Sequence, residues 1–122
     1  MPLQGDKQFK ATWSNTTAPQ APDGAGNATV TLTGYTLTNA VANARAVHFY
    51  DADAAPTVGN TTGVNVPKRT VVVPGNSSIV ADFARGKQFF KGLWVSVTVN
   101  PGDGDNTAPA ANDVGVTVDY QS

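Results

Sequence analysis

The residues whose types and spacing suggest chemistry are aspartates that cluster in two short stretches. "NPGDGDNTAPAAND" (residues 100–113) contains Asp103, Asp105 and Asp113, and "YDADAAP" (residues 50–56) contains two more. Closely spaced carboxylates suit calcium, which takes several oxygen ligands. The EF-hand pattern fails, however, because no glycine follows at the required place and the chain contains no glutamate. The sequence therefore predicts turns built by Asp side chains and no metal, with Asp103, Asp105 and Asp113 as the alternative calcium ligands.

The only histidine of the chain, His48, lies in the strand-like stretch "AVHFYD". A Ser-His-Asp triad would need this residue, but the chain contains no GxSxG motif to supply a nucleophile. A pair of carboxylates for glycoside hydrolysis would need a substrate cleft, of which the sequence gives no sign. We therefore expect a structural histidine, no catalytic residue, no bound cofactor and a protein that is not an enzyme.

Composition narrows the classes of partner. The 122 residues suffice for one domain, and only 14% of them are charged, where about 25% is typical. A net charge of −1 gives no electrostatic footprint for DNA or RNA, so we expect no nucleic-acid partner. Two small basic groups, Lys68-Arg69 and Arg85/Lys87/Lys91, are interpreted as solvated strand ends. With no cysteine, disulfides and thiolate metal sites are excluded.

The N-terminal stretch "MPLQGDKQFKATW" lacks the apolar core of a signal peptide. No apolar run approaches the roughly 20 residues that a membrane helix needs. We therefore expect synthesis in the cytoplasm and no membrane partner.

Two-residue periodicity dominates the elements that must position these side chains. It is clearest in "FFKGLWVSVTVN" and "DVGVTVDY", where every second residue is apolar. Further strand patterns are "QFKATW", "ATVTLTGYTLT", "RTVVVPG" and "SSIVADFA", with Gly, Pro and Asn turns between them. The spacing predicts roughly seven to nine strands.

These patterns predict an all-β fold, an antiparallel two-sheet β-sandwich of either jelly-roll-like or immunoglobulin-like topology. We expect residues 1–28 to form an irregular N-terminal strand or arm region and residues 29–122 to form the sandwich domain. The stretch from Pro101 to Asn112 is longer than a tight hairpin needs, so we expect it to cross between the sheets or to reach a neighbouring subunit. The aromatic residues are expected to fill the core or a subunit interface, the alternative being an exposed sugar-stacking platform.

Three pieces of the second half resemble a recurrent small domain of tailed-phage virion proteins. They are "VHFYDADAAPTVG", "VPGNSSIVADFARGKQFFKGLWVSVTVN" and "NTAPAANDVGVTVDY", which occur in the order of that family and span residues 47–120. The resemblance implies a β-sandwich from a phage particle. It supplies no catalytic residue.

Free-standing proteins of this kind are capsid cement (decoration) proteins or small tail and fibre components. The resemblance thus implies a protein on the capsid surface of the virion, made in the host cytoplasm, with the major capsid protein as its partner and a homotrimer as its assembly. The alternative function is a tail or fibre module that recognises host carbohydrate, which would present exposed Trp or Tyr side chains.

Overall fold

The structure is a computed structural model, and it describes residues 7–110 and 112–122. The described chain is all-β, as predicted, with one short 3₁₀ turn at Gly63–Asn65. Its seven strands, in chain order, are β1 (Lys7–Trp13), β2 (Val30–Asn39), β3 (Arg45–Asp51), β4 (Arg69–Val73), β5 (Ser77–Phe89), β6 (Leu93–Thr98) and β7 (Val114–Gln121). The described residues contain no helix with the length and apolarity that crossing a membrane requires.

Two antiparallel sheets form the predicted sandwich. One sheet has the strand order β1-β7-β2-β5 and the other has the order β4-β3-β6. The inward residues of both sheets form a single apolar core, which includes Trp13, Leu37, Phe49, Val95 and Val118. The alternation seen in β6 and β7 places Leu93, Val95 and Val97 of one sheet against Val114, Val116 and Val118 of the other.

The strand pairing identifies the topology as a jelly roll. An immunoglobulin-type sandwich keeps its last strand in the sheet opposite the first strand, whereas β7 here pairs with β1. A single bridge between Gln20 and Val95 stands where a jelly roll has a full second strand. When the segment around Gln20 is counted as that strand, the pairings are first with eighth, second with seventh, third with sixth and fourth with fifth. This is the pattern of a rolled-up hairpin.

A β-bulge in β2 explains a change of phase in its sequence. Val30 and Leu32, at even positions, are buried, and so are Tyr35 and Leu37, at odd positions. A regular strand would place the two pairs on opposite faces. The register of β2 shifts between Leu32 and Gly34, which inserts the extra residue that returns the apolar side chains to the core. A Cβ at Gly34 would lie 2.7 Å from the backbone oxygen of Ala81, so the bulge requires glycine there.

The N-terminal region is not a separate arm where the structure describes it. β1 pairs with β7 along its whole length, from Lys7 opposite Tyr120 to Trp13 opposite Val114, so these seven residues belong to the sandwich. The following segment, residues 14–28, is named the strap because it runs along the free edge of β6. The part of the predicted arm before residue 7 lies outside the described residues, and the division at residue 28 stays a prediction as a domain boundary.

The strap closes an edge that would otherwise expose unpaired backbone groups. Gln20 exchanges two backbone hydrogen bonds with Val95, at 2.9 and 2.8 Å, and the Leu93 amide donates to the Ala25 carbonyl at 2.8 Å. Edge strands are commonly protected by such a covering segment, since an open edge promotes aggregation. The strap therefore contributes to the fold as a reduced strand.

Candidate interaction surface

The outer face of the four-stranded sheet carries rows of small polar side chains. The antiparallel register sets residues of β1, β7, β2 and β5 side by side across this face. In that strand order, one row consists of Thr12, Gly115, Thr38 and Ser78, and the next consists of Lys10, Thr117, Thr36 and Val80. All eight residues are exposed or half-buried, so no described segment of the chain covers these rows. We name this surface the bare face.

The bare face is shallow and poor in charge. Gly115 lies near its middle, where an added Cβ would meet no atom within 4 Å, so the sheet forms an open groove between the flanking threonines. The Thr38 and Ser78 hydroxyls are hydrogen-bonded at 3.1 Å. Lys10 is the only charged residue of the two rows. A surface of this kind offers hydroxyl groups, methyl groups and little charge to a partner, and it has no enclosed pocket.

The outer face of the three-stranded sheet, in contrast, is covered along β3 and β6 by the strap and by the loop after β6, of which residues 99–110, 112 and 113 are described. The Trp94 indole donates to the Gly26 carbonyl at 2.9 Å, and the Ser96 hydroxyl donates to the Thr17 carbonyl at 2.6 Å. Both contacts reach from β6 outward to the strap. As a result, β3 and β6 are buried on both sides, whereas Val72 on the edge strand β4 remains exposed and the four-stranded sheet is buried on one side only.

His48 lies on the covered face and has no catalytic partner. Its Nε2 is 2.7 Å from the Thr98 hydroxyl, and its Nδ1 is 2.8 Å from the Thr70 hydroxyl. Because the Thr98 hydroxyl donates to the Asn100 carbonyl at 2.6 Å, it must accept the proton of Nε2. In the neutral imidazole, which the lowered pKa of His48 favours, Nδ1 then accepts from the Thr70 hydroxyl and both nitrogens are satisfied.

The pKa values of His48 and its neighbour Tyr50 agree with a neutral, structural histidine. Burial lowers the pKa of His48 below its ordinary value, although the charges of Asp103 and Asp105 partly oppose that effect. Burial also raises the pKa of the neighbouring Tyr50 to about 12, with a further contribution from Asp103. Neither ring has a carboxylate within hydrogen-bonding distance among its described contacts. The arrangement suits packing and gives no acid–base pair.

Asp105 forms a turn, as its neighbours in the sequence predict. Its carboxylate accepts hydrogen bonds from the Asn100 amide at 3.1 Å and from the Thr107 hydroxyl at 2.8 Å. Burial raises the pKa of Asp105, but the hydrogen bonds from Thr107 and Asn100 outweigh it and bring the pKa below its usual value. The oxygens that would bind calcium thus hold the loop together.

The other two candidate calcium ligands, Asp113 and Asp103, have environments different from that of Asp105. Asp113 is buried and accepts from Arg45 Nε at 3.1 Å and from the Ala110 amide at 2.8 Å, whereas Asp103 is exposed. Within residues 7–110 and 112–122, no three His, Asp or Glu side chains come together in a way that would hold a metal ion. Sequence reasoning missed the Arg45–Asp113 ion pair, because the two residues are 68 positions apart.

The aromatic side chains do not form a sugar-stacking platform in the described structure. Trp13 and all three tyrosines are buried, and Trp94 is half-buried with its indole nitrogen occupied by Gly26. The exposed aromatic residue is Phe90, with 66% of its surface accessible. Most aromatics thus fill the core, as expected from their scatter along the chain.

Comparisons with known proteins add only a distant structural likeness. No protein-family model matches the chain, and no curated protein sequence matches it. Among solved structures, the chain is similar to the coat protein of Tobacco streak virus, with 14% sequence identity and a TM-score of 0.43, over 96% of this chain and 88% of that one. A likeness of this degree carries no weight for function, which has to be argued from the surfaces of the chain itself.

Proposed function

We propose that the protein is a structural component of a virus particle, a capsid cement (decoration) protein that binds the assembled phage head. The observation that supports this proposal most directly is the bare face, two rows of mostly uncharged side chains around a shallow, open groove. A protein that acts by covering a lattice needs an extended complementary surface, whereas an enzyme needs an enclosed site. The resemblance of residues 47–120 to tailed-phage virion domains supports the same class of function.

Binding of this kind would stabilise the head by mass action. A protein that binds the assembled shell but not the free coat subunits shifts the equilibrium towards the shell, and the gain grows with its free concentration. The packed DNA presses outward on the shell, so such a protein would protect the head against bursting. The partner is the major capsid protein, and the location is the capsid surface.

The proposed assembly is a homotrimer. Closed cyclic symmetry matches a position where three groups of coat subunits meet, because each protomer then presents the same face to the lattice. The bare face is one surface per chain, so a trimer would present three equivalent copies of it.

The jelly roll by itself does not decide the function, since capsid proteins, lectins and cupins all use this architecture. The chain's own residues narrow the choice. A cupin-type metal centre needs a cluster of His and acidic ligands, which the described residues do not form. Carbohydrate recognition by stacking needs accessible Trp or Tyr rings, and every Trp and Tyr of the chain is buried or half-buried. The host-carbohydrate alternative is therefore not proposed.

The test uses heads that lack the protein, with the purified chain added back. We expect the wild-type chain to bind the heads in a sedimentation assay and to raise the temperature at which they release DNA. Thr36→Arg places a long charged side chain in the middle of the bare face and should abolish both effects. Ala55→Arg, on an exposed loop remote from that face, is the matched control and should act like the wild type. If the wild-type chain neither binds nor protects the heads, the proposed function is wrong.

A further inference from the structure

A third row of side chains crosses the four-stranded sheet next to the bare face. It lies two residues further along each strand than the row that contains Lys10 and Thr36, so it continues the same outer surface. In the strand order β1, β7, β2 and β5, this row consists of Gln8, Asp119, Gly34 and Asp82. Two of its four members carry carboxylates, whereas the two rows of the bare face carry none.

The two carboxylates converge over Gly34, where the row lacks a side chain. Outside residues 33–35, the three atoms nearest to the position of a Cβ at Gly34 are all oxygens. They are the Ala81 carbonyl oxygen at 2.7 Å, Asp82 Oδ1 at 3.0 Å and Asp119 Oδ2 at 3.7 Å. Ionised carboxylates and carbonyls only accept hydrogen bonds, so the site offers acceptors to a donor from outside. We name this site, formed by Gly34, Asp82 and Asp119, the notch.

A buried hydroxyl without a partner lies beside the notch. Thr33 is 3% accessible, and its Oγ1 atom forms no hydrogen bond with any residue that the structure describes. Leu32 and Tyr35 face the core, and the β-bulge sets the two residues between them on the outer side, opposite Asp119. The Thr33 side chain is thus on the same side of the sheet as the two carboxylates. Because unpaired buried hydroxyls are rare and destabilising, this one indicates a group that binds here from outside the chain.

The described chain supplies no cation to the notch. Neither Asp82 nor Asp119 forms an ion pair with a residue that the structure describes, and Lys10 in the adjacent row is no exception. The Gln8 side-chain amide donates to Asp119 Oδ1 at 3.0 Å, which occupies one oxygen without adding a charge. Like charges that are held close together repel each other. A positively charged donor would therefore stabilise the notch.

We infer that the notch binds the guanidinium group of an arginine on the surface that the bare face covers. A guanidinium is cationic and carries five N–H donors in one plane, so a single group can donate to a carboxylate on either side and to the Thr33 hydroxyl. Hydrogen bonds between charged groups are stronger than those between neutral ones. Since Lys10 is the only charged residue of the two neighbouring rows, the notch would fix the register of the protein on its partner.

The identity of that partner as the coat rests on the proposed function, whereas guanidinium binding can be measured on the purified chain. The first experiment is an NMR titration of the full chain with argininamide, which has a guanidinium group and no carboxylate. We expect saturable shifts of the backbone amide signals of Thr33 and Gly34. Asp82→Asn/Asp119→Asn keeps the shape of both side chains and should raise the dissociation constant by about tenfold or more.

Two further variants separate the notch from general effects of charge and folding. Asp53→Asn/Asp103→Asn removes two carboxylates from exposed loops and should leave argininamide binding unchanged. Thr33→Val removes the hydroxyl, which should weaken argininamide binding without lowering the melting temperature of the free chain, because the hydroxyl has no partner there to lose. A lowered melting temperature in Thr33→Val would show that the hydroxyl is bonded within the chain and would contradict the inference.

The remaining outcomes are equally decisive. The inference is wrong if argininamide shifts neither Thr33 nor Gly34, if Asp82→Asn/Asp119→Asn binds it as tightly as the wild type, or if calcium chloride shifts these signals and argininamide does not. Binding to heads that lack the protein is measured separately. Heads that bind the wild type and the Asp82→Asn/Asp119→Asn variant equally well also overturn it. A chain that binds argininamide in the notch but does not bind heads contradicts the proposed function instead.

Discussion

Replacing Asp113 by alanine should destabilise the fold strongly, because this carboxylate is buried and joins three parts of the chain. Only 1% of its side chain is accessible, and it accepts hydrogen bonds from Arg45 at the start of β3 and from the Ala110 amide of the loop after β6. Its own carbonyl accepts from the Ala40 amide at 2.9 Å, a bond that the substitution keeps. The change thus isolates the carboxylate.

The magnitude follows from what each partner loses. Removing one member of a buried ion pair costs about 3–5 kcal/mol. Arg45 is 12% accessible and keeps a hydrogen bond to the Ala44 carbonyl at 3.0 Å, so the lower end of that range applies, about 3 kcal/mol. For a domain of this size, a loss of 3 kcal/mol lowers the melting temperature by about 12 °C.

The assay is thermal and urea unfolding followed by circular dichroism. Asp103→Ala is the matched control, since it removes the same group from the same loop at an exposed position with no ion pair among the described residues, and it should change stability by less than about 0.5 kcal/mol. Asp113→Asn keeps an oxygen for the Ala110 amide but loses the charge, so it should fall between the two. If Asp113→Ala is as mild as Asp103→Ala, the interpretation of the Arg45–Asp113 pair is refuted.

Three further predictions concern the packing around Gly92, the pH dependence of stability and the binding of metal. Gly92→Ala should lower the free energy of unfolding by about 1–3 kcal/mol, because the new Cβ would lie 2.4 Å from the Ala52 carbonyl oxygen. Gly102→Ala is the control, since a Cβ there meets nothing within 4 Å. Equal unfolding midpoints for the two variants would contradict the packing described. Burial lowers the pKa of His48 from 6.5, so the histidine of the unfolded chain takes up a proton at higher pH than that of the folded chain, and stability should fall as pH drops below about 6.5. His48→Gln should flatten that part of the stability–pH curve. An unchanged slope would count against the buried neutral imidazole. Adding a chelator or excess calcium should leave the melting temperature unchanged, because the carboxylate oxygens of Asp105 already accept hydrogen bonds from backbone and hydroxyl donors. A melting temperature that rises with calcium would support a metal site in this loop.

The sequence predicted the fold class well because short-range alternation carries that information. The alternating patterns of β6 and β7 correspond to buried faces of these strands. In β2 the apolar residues change from even to odd positions in the sequence, and the bulge at Gly34 explains that change. The choice between jelly roll and immunoglobulin topology was out of reach, since it depends on which distant strands pair. The pairing of β1 with β7 joins the two ends of the described chain, and no local pattern encodes such a contact.

The surfaces were harder to predict than the strands. Ser96 and Thr98 alternate with apolar residues as if they faced solvent, yet both are buried beneath the strap and the loop after β6. Thr36 and Thr117 alternate in the same way and remain accessible at the surface. Only the placement of the covering segments distinguishes the two faces, and that placement is a tertiary property. The bare face was therefore invisible in the sequence, although the hydroxyl residues that form it were not.

The most direct test of the central claim is a reconstruction of the phage particle by electron cryo-microscopy at a resolution that shows strands. The account predicts density for the sandwich on the outside of the head, with the sheet β1-β7-β2-β5 facing the coat subunits and the strap-covered sheet facing away. A chain found only in the tail, or one that meets the coat through its covered sheet while the two rows of the bare face point to solvent, would contradict it.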